Sequence, residues 1–354
     1  MARVQQVIAR LKQQSIVILG AGLSGQSCLE FLHAHQISCA INDSRKNAVD
    51  TESFKASYPD VQLVLGYWDR ELIQSADLIL ISPGIDPNTP EIAESIGENT
   101  EVIGDVELFC RLVDAPIAAV TGSNGKSTVV SLLAHVGQAL GKNTVLGGNV
   151  GAPILSQIQH NVDCYVLELS SFQLETIKSL RAKVATVLNV TDDHLDRHHT
   201  LENYAAIKRN IYQHCELAVS NANDHLTAAS SDQNQVSFGL GHNDEMYALV
   251  QDGNDFNLVV DAKTVAALSE LPLAGVHNGL NYLVVLALGN ALGWPTDEML
   301  MHLKSFKGLS HRCQLVESED GITWINDSKA TNVGAAVAAI KGVSPMVGEN
   351  SRLV

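Results

Sequence analysis

The stretch Thr121-Gly-Ser-Asn-Gly-Lys-Ser-Thr128 decides the fold of the middle of this chain. An apolar run, Pro116 to Val120, leads into it and predicts a buried strand, and the run from Val129 to Leu140 predicts a helix. A Gly-rich turn between a strand and a helix surrounds an anion with backbone N–H groups, and the helix dipole adds partial positive charge. In such a turn Lys126 reaches the β- and γ-phosphates and Ser127 offers its hydroxyl to Mg²⁺.

The match to the phosphate-loop pattern is incomplete, because Val120 occupies the position of the first Gly. The alternative interpretation is a Gly-rich turn that caps an ordinary helix. That alternative leaves the Lys-Ser-Thr sequence after the turn unexplained, so we favour a nucleotide site.

Composition excludes several classes of protein. The chain has 354 residues, 45% of them hydrophobic, which predicts two or three domains. Its formal net charge is −16, and such a surface repels nucleic acid and anionic membrane. The six cysteines form no C-x-x-C pair, and no apolar run approaches the roughly 18 residues of a membrane helix. We therefore expect a cytoplasmic protein with reduced thiols and no nucleic-acid or membrane partner.

A second Gly-rich turn lies near the start of the chain. The strand-like run from Ser15 to Leu19 precedes Gly20-Ala-Gly-Leu-Ser-Gly25, and a helix-like run follows. The next predicted strand ends at Asp43, about 18 positions after the last Gly. This G-x-G-x-x-G fingerprint with a later acidic residue predicts a Rossmann-like unit that binds a nucleotide, with NAD(P) as the default.

Two features argue against a nicotinamide cofactor. Asp43 is followed by Ser44 and Arg45, which offer a hydroxyl and a guanidinium to phosphate or to a base edge, and a second nucleotide site lies downstream. The turn from Ser82 to Gly84 follows another apolar strand, at the sheet edge where ligands of open α/β folds bind. Ordinary loop chemistry is the alternative for these turn residues.

Polar residues follow or interrupt the apolar strands of the middle region. Gly147-Gly-Asn-Val-Gly151 is a further Gly-rich turn, in which Asn149 offers a polar contact. Glu168 lies within an apolar strand that we expect beside the strand of the phosphate loop, so Mg²⁺ is its natural partner. His194 follows the strand from Val184 to Val190 and can ligate a metal or contact substrate. The alternatives are an edge position for Glu168 and a surface location for His194.

Helical spacing and helix ends supply the remaining candidates. Tyr204, Lys208 and Tyr212 share one face of a predicted helix, where a Lys is usually solvated. Asn278 and Asn281 open a long apolar helix that they can cap, or they can face a nucleotide.

The C-terminal part predicts a hairpin, His311 to Glu317 with Ile322 to Ile325, and then a helix from Val333 to Lys341. Arg312, at the start of this hairpin, can neutralise charge that develops during phosphoryl transfer if it lies beside an ATP site.

Taken together, these motifs resemble the Mur ligase family of peptidoglycan synthesis, over about residues 15 to 341. The segment Ser-Ser-Phe-Gln-Leu-Glu favours the member that adds D-glutamate over its sister ligases. The segments that carry the resemblance are Thr121–Thr128, Gly147–Gly151, Leu167–Glu175, Asn189–Arg197, His277-Asn278 and Trp324–Asn332.

The resemblance implies an α/β fold of three parts. These are an N-terminal Rossmann-like domain that binds a UDP-precursor (residues 1–104), a central P-loop-type α/β ATPase domain (105–308) and a remnant of a C-terminal Rossmann-like domain that binds the amino acid (309–354). The family's third domain is much longer than the 45 or so residues here. We therefore expect a truncated enzyme that binds UDP-precursor and ATP and ligates poorly or not at all. We also expect a monomer.

The activity implied is ATP-dependent ligation of D-glutamate to UDP-N-acetylmuramoyl-L-alanine through an acyl phosphate, with two Mg²⁺ ions. A sister Mur ligase or a folylpolyglutamate synthase-like ligase is the enzymatic alternative, separable by the amino acid consumed. A non-catalytic nucleotide-binding remnant is the other alternative, and it would bind nucleotide without releasing phosphate.

The resemblance also assigns roles to individual residues. Residues that would hold the UDP-precursor are Leu23, Ser24, Asp43, Ser44, Arg45, Ser82, Gly84, Asn149 and His194. Residues that would bind ATP are Gly122, Ser123, Asn124, Gly125, Lys126, Ser127, Thr128, Asn278, Arg312 and Asp327. The metal ligands would be Ser127, Glu168, His194 and Lys208, with Lys208 carbamylated. The catalytic set would be Lys126, His194, Lys208, Arg312 and Lys329, with Lys329 and Thr331 near the acyl phosphate and D-glutamate.

Overall fold

The computed structural model describes residues 2–241, 246–312, 314–316, 322, 324–330, 334, 336–337 and 339–340. These residues divide into two compact units. The first comprises the described residues up to Ala115 together with Gly147–His160 and Ser170–Arg181. The second comprises Pro116–Leu146, Asn161–Leu169 and the described residues from Ala182 onward. The three-domain division at residues 104 and 308 stays a prediction.

Strands and helices alternate through most of the chain, as in an α/β protein. The strands are β1 (Ile16–Leu19), β2 (Ala40–Asp43), β3 (Gln62–Leu65), β4 (Leu78–Ile81), β5 (Glu101–Ile103), β6 (Ile117–Thr121), β7 (Thr144–Gly148), β8 (Cys164–Glu168), β9 (Val184–Val187), β10 (Ala218–Asn221), β11 (Gln235–Leu240), β12 (Tyr247–Asp252), β13 (Asp255–Val260), β14 (Lys263–Ala267), β15 (Gln314–Val316) and β16 (Trp324–Asn326).

The α-helices are α1 (Ala2–Leu11), α2 (Leu23–Ala34), α3 (Thr51–Ser57), α4 (Arg70–Gln74), α5 (Pro90–Ala93), α6 (Asp105–Leu112), α7 (Lys126–Ala139), α8 (Ser171–Leu174), α9 (Leu195–His198), α10 (Leu201–Arg209), α11 (Val276–Ala291) and α12 (Thr296–Leu303). None of these described helices combines the length and the apolar character needed to cross a bilayer.

The first unit is built on a five-stranded parallel sheet in the order β3-β2-β1-β4-β5. Every residue of β1 and β4 is buried, as expected for strands covered on both faces. The strand order reverses between β1 and β4, and a crevice at that point is where ligands of open α/β sheets bind. The predicted Rossmann-like fold is confirmed.

The second unit contains a nine-stranded sheet in the order β14-β13-β12-β11-β10-β9-β6-β8-β7. Strand β6 pairs in parallel with β8 on one side and β9 on the other, and Val120 lies opposite Glu168. Helix α11 is buried through Tyr282–Gly289, because its residues are apolar on all sides and it packs against α7 and β12. The expected position of Glu168 beside the phosphate-loop strand is confirmed.

The remaining predicted elements differ mainly at their ends. Strands β15 and β16 form the predicted hairpin, and they pair antiparallel. Helix α11 begins at Val276 after the N-cap residue Gly275, so Asn278 and Asn281 lie inside its first turns and neither is the cap. Of the predicted helix from Val333 to Lys341, residues 334, 336–337 and 339–340 are described and are helical, and the other four residues lie outside the described part of the chain.

The turn after β1 needs glycine at a specific place. A Cβ on Gly25 would lie 1.8 Å from the carbonyl oxygen of Gly20, far inside van der Waals contact. A Cβ on Gly22 would meet nothing within 4 Å. Close approach of the helix to the strand, and not flexibility, therefore dictates the third Gly of the fingerprint.

We expect Gly25→Ala to destabilise the first unit by about 1–3 kcal/mol, because the added methyl group collides with backbone that cannot move away. Gly22→Ala, two residues from the collision, should cost less than about 1 kcal/mol. Chemical denaturation followed by circular dichroism measures both variants. Equal stability of the two would contradict the packing shown for this turn.

Candidate functional site

The first unit contains a cavity of about 620 Å³ at the carboxyl ends of β1, β2 and β4. Eight residues that the sequence assigns to precursor binding line it: Leu23, Ser24, Asp43, Ser44, Arg45, Ser82, Gly84 and Asn149. They come from four separate segments of the chain, so the fold brings together what the sequence keeps apart. Further lining residues that were not predicted are Trp68, Ile85, Asp105, Pro153 and Gln173.

Asp43 organises one wall of this cavity. Its Oδ2 accepts a hydrogen bond from the N–H of Ala21 at 2.8 Å, and Arg45 donates to the same carboxylate from Nε at 2.9 Å and Nη2 at 2.7 Å. Burial alone would raise the pKa of Asp43, but the hydrogen bonds from Arg45 and Ala21 outweigh it and lower that pKa. Asp43 therefore stays ionised and holds the turn after β1, while the Arg45 side chain remains 65% exposed.

The phosphate loop of the second unit has the predicted strand–turn–helix form. Gly125 adopts a left-handed conformation with φ +88°, immediately before α7 begins at Lys126. A Cβ at Gly125 would lie 2.9 Å from Oδ1 of Asn281, so this side chain of α11 closes over the turn. The N-terminus of α7 is thereby directed at the loop, as an anion site requires.

A second loop, from Leu188 to Thr191, holds the phosphate loop in place. The N–H of Ser123 donates to the carbonyl of Asn189 at 2.9 Å, and the N–H of Asn124 donates to Asn189 Oδ1 at 2.8 Å. Asn189 Nδ2 donates back to the carbonyl of Asn124 at 3.0 Å. The Ser123 hydroxyl also bonds both backbone groups of Thr191. These bonds fix the loop before any nucleotide binds.

Two lysines converge on one carbonyl oxygen of this loop. Lys126 Nζ donates to the carbonyl of Gly122 at 2.8 Å, and Lys208 Nζ donates to the same oxygen at 3.1 Å. Lys208 is 1% exposed, so it is not the solvated helix residue that the spacing alone suggests. Burial, and then the charge of Lys126, lower the pKa of Lys208 well below its usual value.

Acidic side chains also lie near Lys126. Glu168 is 3% exposed at the end of β8. Burial lowers the pKa of Lys126, and the negative charge of Glu168 opposes this lowering. The charge of Asp193 likewise raises the pKa of Lys126 and that of Lys208. A buried carboxylate and a serine hydroxyl, Ser127, thus stand at the loop, and both are oxygen donors of the kind Mg²⁺ prefers.

An aromatic stack packs beneath Lys208. The Tyr204 ring lies 4.3 Å from Lys208 Nζ, and the His198 ring stacks on Tyr204 with centroids 5.1 Å apart. Burial lowers the pKa of His198 to about 4, so it is neutral at physiological pH. His194 precedes α9 with φ +52°, and its side chain is 48% exposed, 3.7 Å from Asp193.

The C-terminal candidates differ in where they lie. Arg312 Nη2 donates to Ser127 Oγ at 2.9 Å, so this residue lies at the phosphate loop as expected. Asn278 bonds Asn281, which covers Gly125. Asp327 is half-buried, and its charge opposes the lowering of the His277 pKa that burial causes. Lys329 is exposed, and Thr331 lies outside the described residues.

Sequence reasoning gave no role to Asn189, Tyr204 or Asp105. Asn189 and Tyr204 lie in segments that the sequence did single out. In the phosphate loop, however, Asn189 bonds Asn124, 65 positions away, and Tyr204 bonds Ser123, 81 positions away. Sequence spacing does not reveal contacts between residues so far apart. Asp105 carries no local motif at all beyond its position at the start of a predicted helix.

Comparison with known proteins agrees with this architecture. The model for the Mur ligase MurD-like N-terminal domain matches residues 14–104, and the model for the Mur ligase middle domain matches residues 120–289. A UDP-N-acetylmuramoylalanine–D-glutamate ligase from Colwellia psychrerythraea is 47% identical, over 98% of this chain and 78% of the relative. The enzyme of the same name from Mannheimia succiniciproducens is 44% identical, over 93% of this chain and 75% of its own.

Solved structures show the same fold at low identity. A MurF from Acinetobacter baumannii superposes with a TM-score of 0.63 at 18% identity, over 96% of this chain and 76% of its own. A pseudomurein peptide ligase type C from Methanothermus fervidus gives 0.59 at 21% identity, over 96% and 78%. The family models and the relatives above 40% identity show that the chain belongs to the Mur ligase family.

Proposed function

We propose that this protein is an ATP-dependent ligase that joins D-glutamate to UDP-N-acetylmuramoyl-L-alanine in the synthesis of peptidoglycan precursor. One observation carries the proposal: the phosphate loop of the second unit gathers Lys126, Ser127 and Arg312 beside the buried carboxylate of Glu168. The two relatives named as UDP-N-acetylmuramoylalanine–D-glutamate ligases align with nearly the whole chain.

The first unit would bind the UDP-precursor. The cavity at the end of β1 offers the N-terminus of α2 to a diphosphate, and Ser24 lies in the first turn of that helix. The exposed guanidinium of Arg45 adds a cation on the same wall, which an anionic ligand needs on a chain of net charge −16. Asn149 supplies an amide to the muramoyl-alanine part, and His194 is proposed to contact it as well.

The second unit would bind ATP. The N–H groups of the turn from Gly122 to Thr128 surround the phosphates, and Lys126 exchanges its bonds to loop carbonyls for bonds to the β- and γ-phosphates. Arg312 already reaches Ser127 and would balance charge on the transferred phosphoryl group. Asn278 and Asp327 are proposed to contact the nucleotide.

Ser127, Glu168, His194 and Lys208 would hold two Mg²⁺ ions, and the hydroxyl and the buried carboxylate at the loop suit that ion. When bound, Mg²⁺ neutralises phosphate charge and orients the γ-phosphoryl group.

The reaction then follows from the groups in place. The L-alanine carboxylate of the precursor attacks the γ-phosphorus, the bond to the β-γ bridging oxygen breaks, and ADP leaves. The amine of D-glutamate attacks the acyl phosphate, loses a proton, and inorganic phosphate departs. Lys126 and Arg312 stabilise the charge that spreads over the phosphoryl oxygens, and Lys329 and Thr331 are proposed to lie near the acyl phosphate and D-glutamate. The protein's main task is to position three reactants.

Lys208 is proposed to react with carbon dioxide to form a carbamate. The neutral amine adds to the carbon of CO₂, and the proton that it loses goes to solvent, which converts an uncharged buried amine into an anion. Lowering of the Lys208 pKa by burial and by Lys126 supplies the neutral amine that this addition requires. The product is a carboxylate-like metal ligand next to Lys126, in place of a second ammonium group.

The protein is further proposed to act in the cytoplasm as a monomer. The five cysteines of the described residues are free thiols, which suits a reducing compartment.

We expect the wild-type chain to form ADP from ATP only when UDP-N-acetylmuramoyl-L-alanine is present, and hydroxylamine to trap the acyl phosphate as a hydroxamate. Lys126→Ala should lower this rate at least about 100-fold, since it removes a cation from the phosphates. Lys142→Ala, an exposed lysine of the same unit, is the control. ADP formation that ignores the precursor, or a ligated product with an amino acid other than D-glutamate, would contradict the proposal.

The carbamate has a direct spectroscopic test. With ¹³C-labelled bicarbonate, the ¹³C NMR spectrum of the wild type should show one slowly exchanging carbamate carbon. Lys208→Ala should remove this signal, and Lys183→Ala, at an ion pair on the surface, should retain it. Absence of the signal from the wild type under saturating bicarbonate would rule out the modification.

A further inference from the structure

Asp105 forms part of the cavity of the first unit, and no motif in the sequence assigns it a role. It is the first residue of α6 and is 4% exposed, yet it lines the cavity together with Ser24. Its Oδ1 accepts a hydrogen bond from the N–H of Val106 at 3.0 Å. The Ser24 side chain, in the first turn of α2, is its hydrogen-bonding neighbour.

This arrangement conflicts with the ligand that the cavity is proposed to hold. The N-terminus of α2 directs a diphosphate to the place where Ser24 lies. An ionised carboxylate only accepts hydrogen bonds, and the Ser24 hydroxyl has a single proton to donate. If Asp105 is charged, the Ser24 hydroxyl can donate to either the carboxylate or the phosphate. The other anion then loses this hydrogen bond, keeps only backbone donors, and lies close to a like charge in a buried place.

We propose, on the basis of the proposed UDP-precursor site, that Asp105 takes up a proton when the diphosphate binds. The carboxyl O–H then donates to Ser24 Oγ, and the Ser24 O–H donates to a phosphate oxygen. One proton from solvent thus completes a chain of hydrogen bonds and removes the repulsion between carboxylate and phosphate. Asp105 becomes a specificity residue for the ligand, because a neutral ligand at this place would gain nothing from the proton.

The surroundings of Asp105 favour the neutral acid. Burial raises the pKa of Asp105, and the hydrogen bonds from Ser24 and Val106 oppose that effect only in part. From α2, the thiol of Cys28 faces it, and burial keeps this thiol protonated by raising its pKa. The segment Ile154–Gln157, which packs on α6, carries no ionisable side chain.

Lys178 lies near α6, where its charge acts on Glu101 and its backbone N–H bonds Glu107, and the following charged groups are paired with one another. Asp43 pairs with Arg45 in the wall of the cavity. On α6 itself Arg111 pairs with Glu107, and it also pairs with Glu101 of β5. From α1, Arg3 pairs with Asp114 and Arg10 pairs with Glu101. None of these cations hydrogen-bonds the Asp105 carboxyl in the described part of the chain.

Titration calorimetry with UDP-N-acetylmuramoyl-L-alanine tests the proposal. The diphosphate diester and the alanyl carboxylate stay ionised between about pH 5 and pH 8, so the ligand itself takes up no proton there. In buffers of different ionisation enthalpy the wild type should take up as much as about one proton. Because binding raises the pKa of Asp105, the affinity should fall as pH rises through the window between the free and the bound pKa, by up to about tenfold per pH unit.

Variants distinguish proton uptake by Asp105, in the proposed chain of hydrogen bonds, from proton uptake by other groups. Asp105→Asn mimics the protonated acid, since its amide N–H can donate to Ser24, so its affinity should not change with pH and should exceed that of the wild type at the upper end of the range. Ser24→Ala, which changes a half-exposed side chain, should lose more than half of the uptake and bind more weakly. Asp60→Asn, an exposed aspartate outside the cavity, should behave as the wild type.

The outcomes distinguish this inference from the function on which it rests. A wild type that does not bind the precursor overturns both. Binding without proton uptake, or uptake that persists in Asp105→Asn and Ser24→Ala, overturns the role of Asp105 and leaves the ligase proposal in place. If Asp105→Asn fails to fold, the result with Ser24→Ala decides.

Discussion

The sharing of the Gly122 carbonyl oxygen by two lysines, one of them fully buried, is the constraint on which the second unit depends. Lys126 and Lys208 both donate to it, and Lys208 is 1% exposed. Two ammonium groups in a low-dielectric site repel each other, so the arrangement favours a neutral amine and calls for anions nearby. Glu168 provides one such anion from the neighbouring strand. Triphosphate and a carbamate on Lys208 are the further anions that the proposed reaction would bring.

The scaffold makes this convergence possible. Parallel pairing of β6 with β8 and β9 brings the phosphate loop, the end of β8 and the loop after β9 to one edge of the sheet. Bonds between Asn189 and the phosphate loop then hold two of these segments together. A rigid loop loses little entropy when phosphate binds, which is the general advantage of a preorganised site.

Much of the fold was predictable because its signals are local. The fingerprint Gly20–Gly25 and the phosphate loop each lie between an apolar run and a helix, and both have the predicted strand–turn–helix form. The cavity of the first unit was partly predictable for the same reason, since its residues follow strands whose carboxyl ends meet at one edge. The boundaries of β9 and α11 were not, because packing and not propensity sets where an element ends.

The states of single side chains could not be read from spacing. A Lys four residues after a Tyr on a helix is usually solvated, and only the packing of α10 shows that Lys208 is buried over Tyr204. Asp105 and Ser24 are far apart in sequence and carry no joint motif, so their contact is a tertiary fact. Asn281 looked like a capping residue, whereas it covers Gly125 from inside α11.

The most direct measurement of the central claim is a crystal structure of this chain with Mg²⁺, a non-hydrolysable ATP analogue and bicarbonate. We expect phosphates bound by the turn from Gly122 to Thr128, with Lys126 Nζ moved from the Gly122 carbonyl to phosphate oxygens. We also expect a metal ion on Ser127 and Glu168. A nucleotide bound elsewhere, or a metal that leaves Glu168 without contact, would contradict it.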